Sequence, residues 1–208
     1  AEVDARFENG WTALMLAATY NTNPEVVTKL IAAGAKVDAR EEDGWTALML
    51  AARFTQNPEV IKALIAGAAE VDARNLYGQT ALMKAATSNM NPDITKAIIA
   101  AGANVDAQTR AGYTPLMFAA EHNTNPEITR ALIDARPYVD AVDVSGRTAL
   151  MKAAGSNPNP EVIKVLLEAG ADGTRKCYEG KTAFDYANYN DAISRDTDVY
   201  WTLSDARF

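Results

Sequence analysis

The chain carries one cysteine, Cys177, and one histidine, His122. A thiolate–imidazole pair is the first chemistry these residue types suggest, and it requires the two side chains within hydrogen-bond reach. A single cysteine excludes an intrachain disulfide, and a single histidine excludes a cluster of histidine metal ligands. Glu41-Glu42-Asp43 is a carboxylate triplet that could attract a cation. It lacks the alternating oxygen ligands and central glycine of a calcium loop, so it reads as a solvated turn. Five evenly spaced methionines, Met15, Met49, Met83, Met117 and Met151, read as core filler, since methionine suits irregular gaps. No glycine-rich phosphate loop, Walker motif or Ser-x-x-Lys is present. No catalytic residue, metal or cofactor is therefore expected. The residues that stand out are aromatic and basic: Trp11, Tyr20, Trp45, Arg53, Phe54, Tyr77, Tyr113, Phe118, His122 and Arg147. Trp, Tyr and Arg are the types that dominate protein-binding hot spots, so this set is the candidate partner-binding site.

The whole chain limits who that partner is. It has 208 residues, 48% of them apolar, with 27 acidic and 20 basic side chains and a net charge of −7. An acidic chain without a basic run disfavours nucleic acid. No apolar stretch approaches the ~18 residues that a membrane span needs, so no membrane insertion is expected. No signal peptide is visible, and the chain opens at Ala1, so compartment stays open.

The elements that must position the candidate residues follow from self-similarity. Gly-x-Thr recurs at Gly10, Gly44, Gly78, Gly112, Gly146 and Gly180, always 34 residues apart. Five copies continue as Thr-Ala/Pro-Leu-Met, and the sixth reads Thr182-Ala183-Phe184-Asp185. Five copies also carry Asn-Pro-acid, beginning at Asn23, Asn57, Asn91, Asn125 and Asn159. Thr12 is a good N-cap, and Ala13–Ala18 is a short helix former. Asn21 suits a left-handed helix end. Asn23-Pro24-Glu25 starts a second helix, with a cap, a first-turn proline and an acid near the positive dipole end. Val26, Val27, Leu30 and Ile31 form its apolar stripe, and Gly34 stops it. Each unit is thus two antiparallel helices and a projecting turn. One unit cannot bury its faces alone, so neighbours must stack. Helix spacing then sets His122 and Cys177, two units apart, roughly 15–20 Å from each other, which excludes the dyad.

These residues resemble the ankyrin repeat. The turn glycine, Thr114-Pro115-Leu116-Met117, Ala119-Ala120, Glu127-Ile128, Gly102-Ala103-Asn104 and Val105-Asp106-Ala107 carry the likeness, which covers nearly all of the chain. The 34-residue period is similar to that of bacterial members. The resemblance implies an all-α solenoid of stacked antiparallel helix pairs with projecting loops or β-hairpin turns. It implies one domain over 1–208: the tail of a preceding repeat at 1–6, repeats at 7–40, 41–74, 75–108, 109–142 and 143–176, and a degenerate last repeat with a cap at 177–208. Methionine replaces the family's usual histidine, so packing must stand in for its hydrogen bonds. Aspartates Asp4, Asp38, Asp72, Asp106 and Asp140 replace an asparagine.

Some positions break the pattern. Ala68 and Arg136 replace the helix-stop glycine, so different loops are expected after Ile65 and Ile133. No polar cap precedes the first unit. At the far end, Thr197 to Leu203 reads as a capped short helix, with Tyr200, Trp201, Leu203 and Phe208 covering the last apolar face.

The resemblance implies a non-catalytic scaffold that binds a protein or peptide on a concave face built from loop tips and first helices. Along that face the aromatics of early units would give way to Arg147, Lys152 and Lys181. The expected species is a monomer. Three other readings stay open: a structural segment associating end to end through the first repeat, the regulatory part of an enzyme, and an engineered binder. Irregularities such as Ala135-Arg136-Pro137 favour natural drift over consensus design.

Overall fold

A computed structural model describes residues 2–7, 9–194 and 197–206. Among these residues the chain forms twelve helices and no strand. They run α1 Ala13–Tyr20, α2 Pro24–Ala32, α3 Ala47–Phe54, α4 Pro58–Ala66, α5 Ala81–Ser88, α6 Pro92–Ala100, α7 Pro115–His122, α8 Pro126–Asp134, α9 Ala149–Ser156, α10 Pro160–Glu168, α11 Ala183–Ala187 and α12 Asp198–Asp205.

Local chemistry starts each helix where the motifs place it. Thr12, Thr46, Thr80, Thr114 and Thr148 accept a hydrogen bond from the backbone N–H of the methionine three residues on. Asn23, Asn57, Asn91, Asn125 and Asn159 accept from the acidic residue after each proline. The methionine side chains, 0–2% exposed, lie with the neighbouring leucines at the centre of the core. Thr182 and Asp185 close a full capping box on α11.

The chain divides into two compact units, Ala1–Asn104 and Val105–Phe208. In the first, the first helices α1, α3 and α5 pack side by side, backed by α2, α4 and α6. In the second, α7, α9 and α11 pack in the same way, backed by α8 and α10, with α12 against α11 and α10. Side-chain hydrogen bonds tie successive repeats. Asp4 and Asp38 accept the N–H of Lys36 and Glu70 at 2.9 Å in the first unit, and Asp106 accepts that of Tyr138 at 2.8 Å in the second. The asparagine-to-aspartate departure therefore has a structural use, an acceptor for the next repeat's backbone.

Four local expectations change. Asn21 is extended (φ −96°, ψ 124°), as are its counterparts, because the chain turns directly into the next Asn-Pro start. The asparagine works through its side chain instead: Asn157 Nδ2 donates to the carbonyls of Ala120 and Asn123, at 2.8 and 3.0 Å. The loop after Ile65 does not differ. Ala68 takes φ +66° and Arg136 φ +57°, doing what Gly34, Gly102 and Gly170 do elsewhere. Ala68 and Ala69 keep the helix-closing bonds to Ile65 and Leu64 made by Gly34 and Ala35 to Ile31 and Leu30. After Ile133, Arg136 still donates to the Ile133 carbonyl, but Pro137 has no N–H for the second bond. The projecting turns are not β-strands; each closes with a backbone hydrogen bond such as Glu41 N–H to Trp45 O at 3.2 Å. Finally, α12 buries Val199, Tyr200 and Leu203 but leaves Trp201 56% exposed. Trp201 falls on the opposite face of the helix from the Val199–Leu203 stripe. Phe208 lies outside the described residues.

Candidate functional site

Turn tips and first helices carry every candidate residue. Each tip turns on a glycine at positive φ, and at some of them a side chain would also clash. A Cβ on Gly112, at φ +78°, would stand 2.9 Å from Asp143 Cα. The residue after each such glycine is partly exposed at the turn: Trp11, Trp45, Gln79, Tyr113, Arg147 and Lys181.

In the first unit, Trp11 and Tyr20 stack at 6.5 Å with a 21° interplanar angle. Tyr20 is 75% exposed. Arg53 lies over two rings, 4.9 Å from Phe54 and 5.6 Å from Trp45. The other cation on Trp45 is Lys84, with Nζ 3.9 Å from the ring centre. Trp11, Trp45, Leu50, Arg53 and Phe54 line an open depression of about 220 Å³ with Glu41 and Asp43. Tyr77 stands apart on its turn, exposed, its hydroxyl 3.5 Å from Asp43 Oδ1.

Lys84 itself is buried and donates to Gln79 Oε1. Burial, then the charge of Arg53, bring its ammonium down to about 8, with Asp43 pulling the other way.

In the second unit, Tyr113 and Phe118 pack at 5.2 Å and Phe118 and His122 at 6.4 Å. Phe118 is only 9% exposed, held between the other two. His122 is half-exposed, with Nε2 3.8 Å from Glu121 Oε2. Lys152 Nζ sits 3.9 Å from the Tyr113 ring centre and donates to the Tyr113 hydroxyl. It also pairs with Asp143 at 2.9 Å and faces Glu121 at 3.6 Å. Arg147 pairs with Asp143 at 3.1 Å. Burial pushes the Asp143 carboxyl up, but bonds from Arg147 N–H, the Lys152 ammonium and Ser145 N–H outweigh it and hold it below the usual range.

Arg147 and Lys152, read from sequence as a basic stretch, are thus neutralised from within. The residue sequence reasoning missed is Asp143. Its signal was the first turn position, which reads Glu41, Asn75, Thr109, Asp143, Cys177 across repeats. Glu41, Asn75, Thr109 and Asp143 each accept the N–H four residues on.

Cys177 is buried, its Sγ 3.3 Å from the Tyr186 hydroxyl. Burial raises the thiol, but hydrogen bonds from Tyr186 and two backbone N–H groups hold it below its ordinary value. Tyr186 in turn is pushed up to about 12, by burial and by that contact. Neither touches His122 in any of its contacts, so the two residues have separate surroundings. Among the described residues no group of three or more His, Cys, Asp or Glu is placed to hold a metal ion. No helix among them is long and apolar enough to cross a membrane.

Capped helix pairs, stacked side by side within each unit, define a helical repeat protein. The model for the family described as ankyrin repeats (3 copies) matches residues 1–75, 56–143, 82–177 and 122–197. The chain belongs to the ankyrin-repeat family. Such repeats are generally protein–protein interaction scaffolds and typically non-catalytic. No curated protein matches the chain.

Proposed function

We propose that this protein is a non-catalytic scaffold that captures a protein or peptide through the concave side formed by its turn tips and first helices. The observation that carries this reading is the cluster in the first unit, where Trp11, Tyr20, Trp45, Arg53 and Phe54 stack beside an open depression. Exposed aromatics held by a cation and by each other lose little entropy on binding. Tyr113, Phe118, His122 and Arg147 offer a second, more covered set in the other unit, and Tyr77 extends the first along its turn.

The test is capture from the source organism with the intact chain and with a Trp45→Ala, Phe54→Ala, Tyr113→Ala variant. The variant is expected to keep its helicity and melting temperature and to lose the partner. Retention of the partner at wild-type affinity places the site elsewhere.

A second reading is end-to-end association through the first repeat. It is favoured by an open apolar depression there, lined by Leu16, Ala17, Tyr20, Val26 and Leu30 among others. A mass by light scattering that stays monomeric across concentration removes it.

A further inference from the structure

Lys84 and Lys152 occupy one position in two repeats, two 34-residue periods apart, and each lies over the ring of the tip residue 39 positions before it. Their surroundings then diverge. Lys152 meets two carboxylates of its own unit, Asp143 and Glu121. At the corresponding positions around Lys84 stand Asn75, which is neutral, and Arg53, which is a second cation. No ion pair forms at Lys84 or Arg53 among the described residues. Arg53 is exposed and lies over the rings of Trp45 and Phe54, with its charge felt by Lys84. The second unit therefore shows what the first lacks: a carboxylate in ion-pair contact with the ring-bound lysine, Asp43 acting on Lys84 only through its field.

We propose that the first unit recognises a partner peptide through a single aspartate or glutamate, whose carboxylate is seated on Arg53 in the field of Lys84, and through a large apolar neighbour placed in the Trp11–Trp45–Leu50–Phe54 depression. This rests on the binding face argued above and names what that face takes in one unit. The depression, about 220 Å³, has room for one side chain rather than a drug-sized ligand. Glu41 and Asp43 line the same depression. They repel a dense polyanion such as nucleic acid while tolerating one charge, and the net charge of −7 acts in the same direction. The charged groups facing Lys84 are Arg53 on α3 and Asp43 in the turn before it, with Gln79 as its hydrogen-bond acceptor. A bound carboxylate favours the protonated lysine, so binding draws a proton onto Lys84 near pH 8 and weakens as that proton is lost.

A random dodecapeptide library displayed on phage and selected on the intact chain tests this. The enriched peptides are expected to carry one Asp or Glu next to Leu, Ile, Met or an aromatic residue. For a synthetic copy of the best one, Asp/Glu→Asn/Gln is expected to weaken binding to the wild-type chain tenfold or more, and to have little further effect on an Arg53→Gln chain. Affinity is expected to fall between pH 7 and pH 9, by at most about tenfold, the ceiling for one group titrating near 8. Lys84→Arg removes that fall. Absence of enrichment, enrichment of basic or uncharged peptides, an affinity indifferent to the acidic residue, or displacement by an oligonucleotide overturns the proposal. Peptides without an acid that still depend on Trp45 overturn it alone. Peptides indifferent to Trp45→Ala, Phe54→Ala and Tyr113→Ala overturn the binding face as well.

Discussion

Around Lys84 and around Lys152 the backbone does the same thing. Each lysine lies on the first helix of its repeat, 3.9 Å from an aromatic ring centre contributed by the previous repeat. Their neighbours separate the cases, among them Gln79 where the other repeat has Arg147 and Asp43 where it has Ala111. Asp143 and Glu121 surround Lys152, whereas Asn75 and Arg53 hold the same places around Lys84. Asn75 and Asp143 do the same local work, each accepting two backbone N–H groups of its turn at 2.8–3.0 Å. Their difference is a charge that the turn does not need and the neighbouring helix feels. In a repeat protein, then, a few substitutions on one backbone decide whether a buried lysine is neutralised by its own neighbours.

The largest way to break the contrast is Asp143→Ala. It takes from Arg147 its ion pair and leaves Lys152, 4% exposed, with Glu121 at 3.6 Å alone. Removing one partner of a buried pair costs about 3 kcal/mol or more. Urea unfolding at pH 7 is expected to show that loss, while Asn75→Ala costs less because no buried charge is orphaned.

Next comes Lys84. Its ordinary value of 10.5 falls to about 8 in the folded chain, so between those pH values the unfolded state binds a proton that the folded state does not. Its contribution to stability therefore climbs as pH rises through that window, and at pH 7 the lysine costs roughly 3 kcal/mol. Lys84→Met is expected to be more stable than wild type at pH 7, with the advantage shrinking toward pH 10. Asn75→Asp, which imports the residue found beside Lys152, is expected to raise the Lys84 titration, as followed by NMR of its ammonium. A Lys84 titration that stays near 8 in that variant would break the comparison.

The smallest effects concern the helix stops. Ala68 and Arg136 hold positive φ, one in each unit. Left-handed geometry costs a non-glycine residue ~1–2 kcal/mol, and glycine's greater unfolded-state freedom cancels about half of that. Ala68→Gly and Arg136→Gly are each expected to raise stability by about 0.5 kcal/mol in thermal melts.

Much of the fold was legible because its signals are local. A threonine three residues before a methionine, an asparagine before a proline and a glycine after an apolar stripe each act within one turn of chain, and each helix starts where they stand. Even the broken helix stops kept their geometry, since Ala68 and Ala69 still close the helix on Ile65 and Leu64. Readings that failed depended on what a residue meets elsewhere. Trp201 looked like a cap and faces solvent, because the helical phase of Val199 and Leu203 turns it away. Lys152 and Arg147 looked like an open basic patch. They are closed by Asp143, which reaches Lys152 nine residues on, and by Glu121 from the repeat before. That Trp11, Trp45 and Tyr113 share one place in the repeat was readable, because the period fixes it.

The sequence by itself determined the period, the all-helical class, the family and the caps, because each repeats in phase and each is a contact between near neighbours in the chain. Only the tertiary structure decided which charges are satisfied. That depends on side chains from adjacent repeats meeting in a partly dry space, where one carboxylate more or less reverses the electrostatics of a lysine.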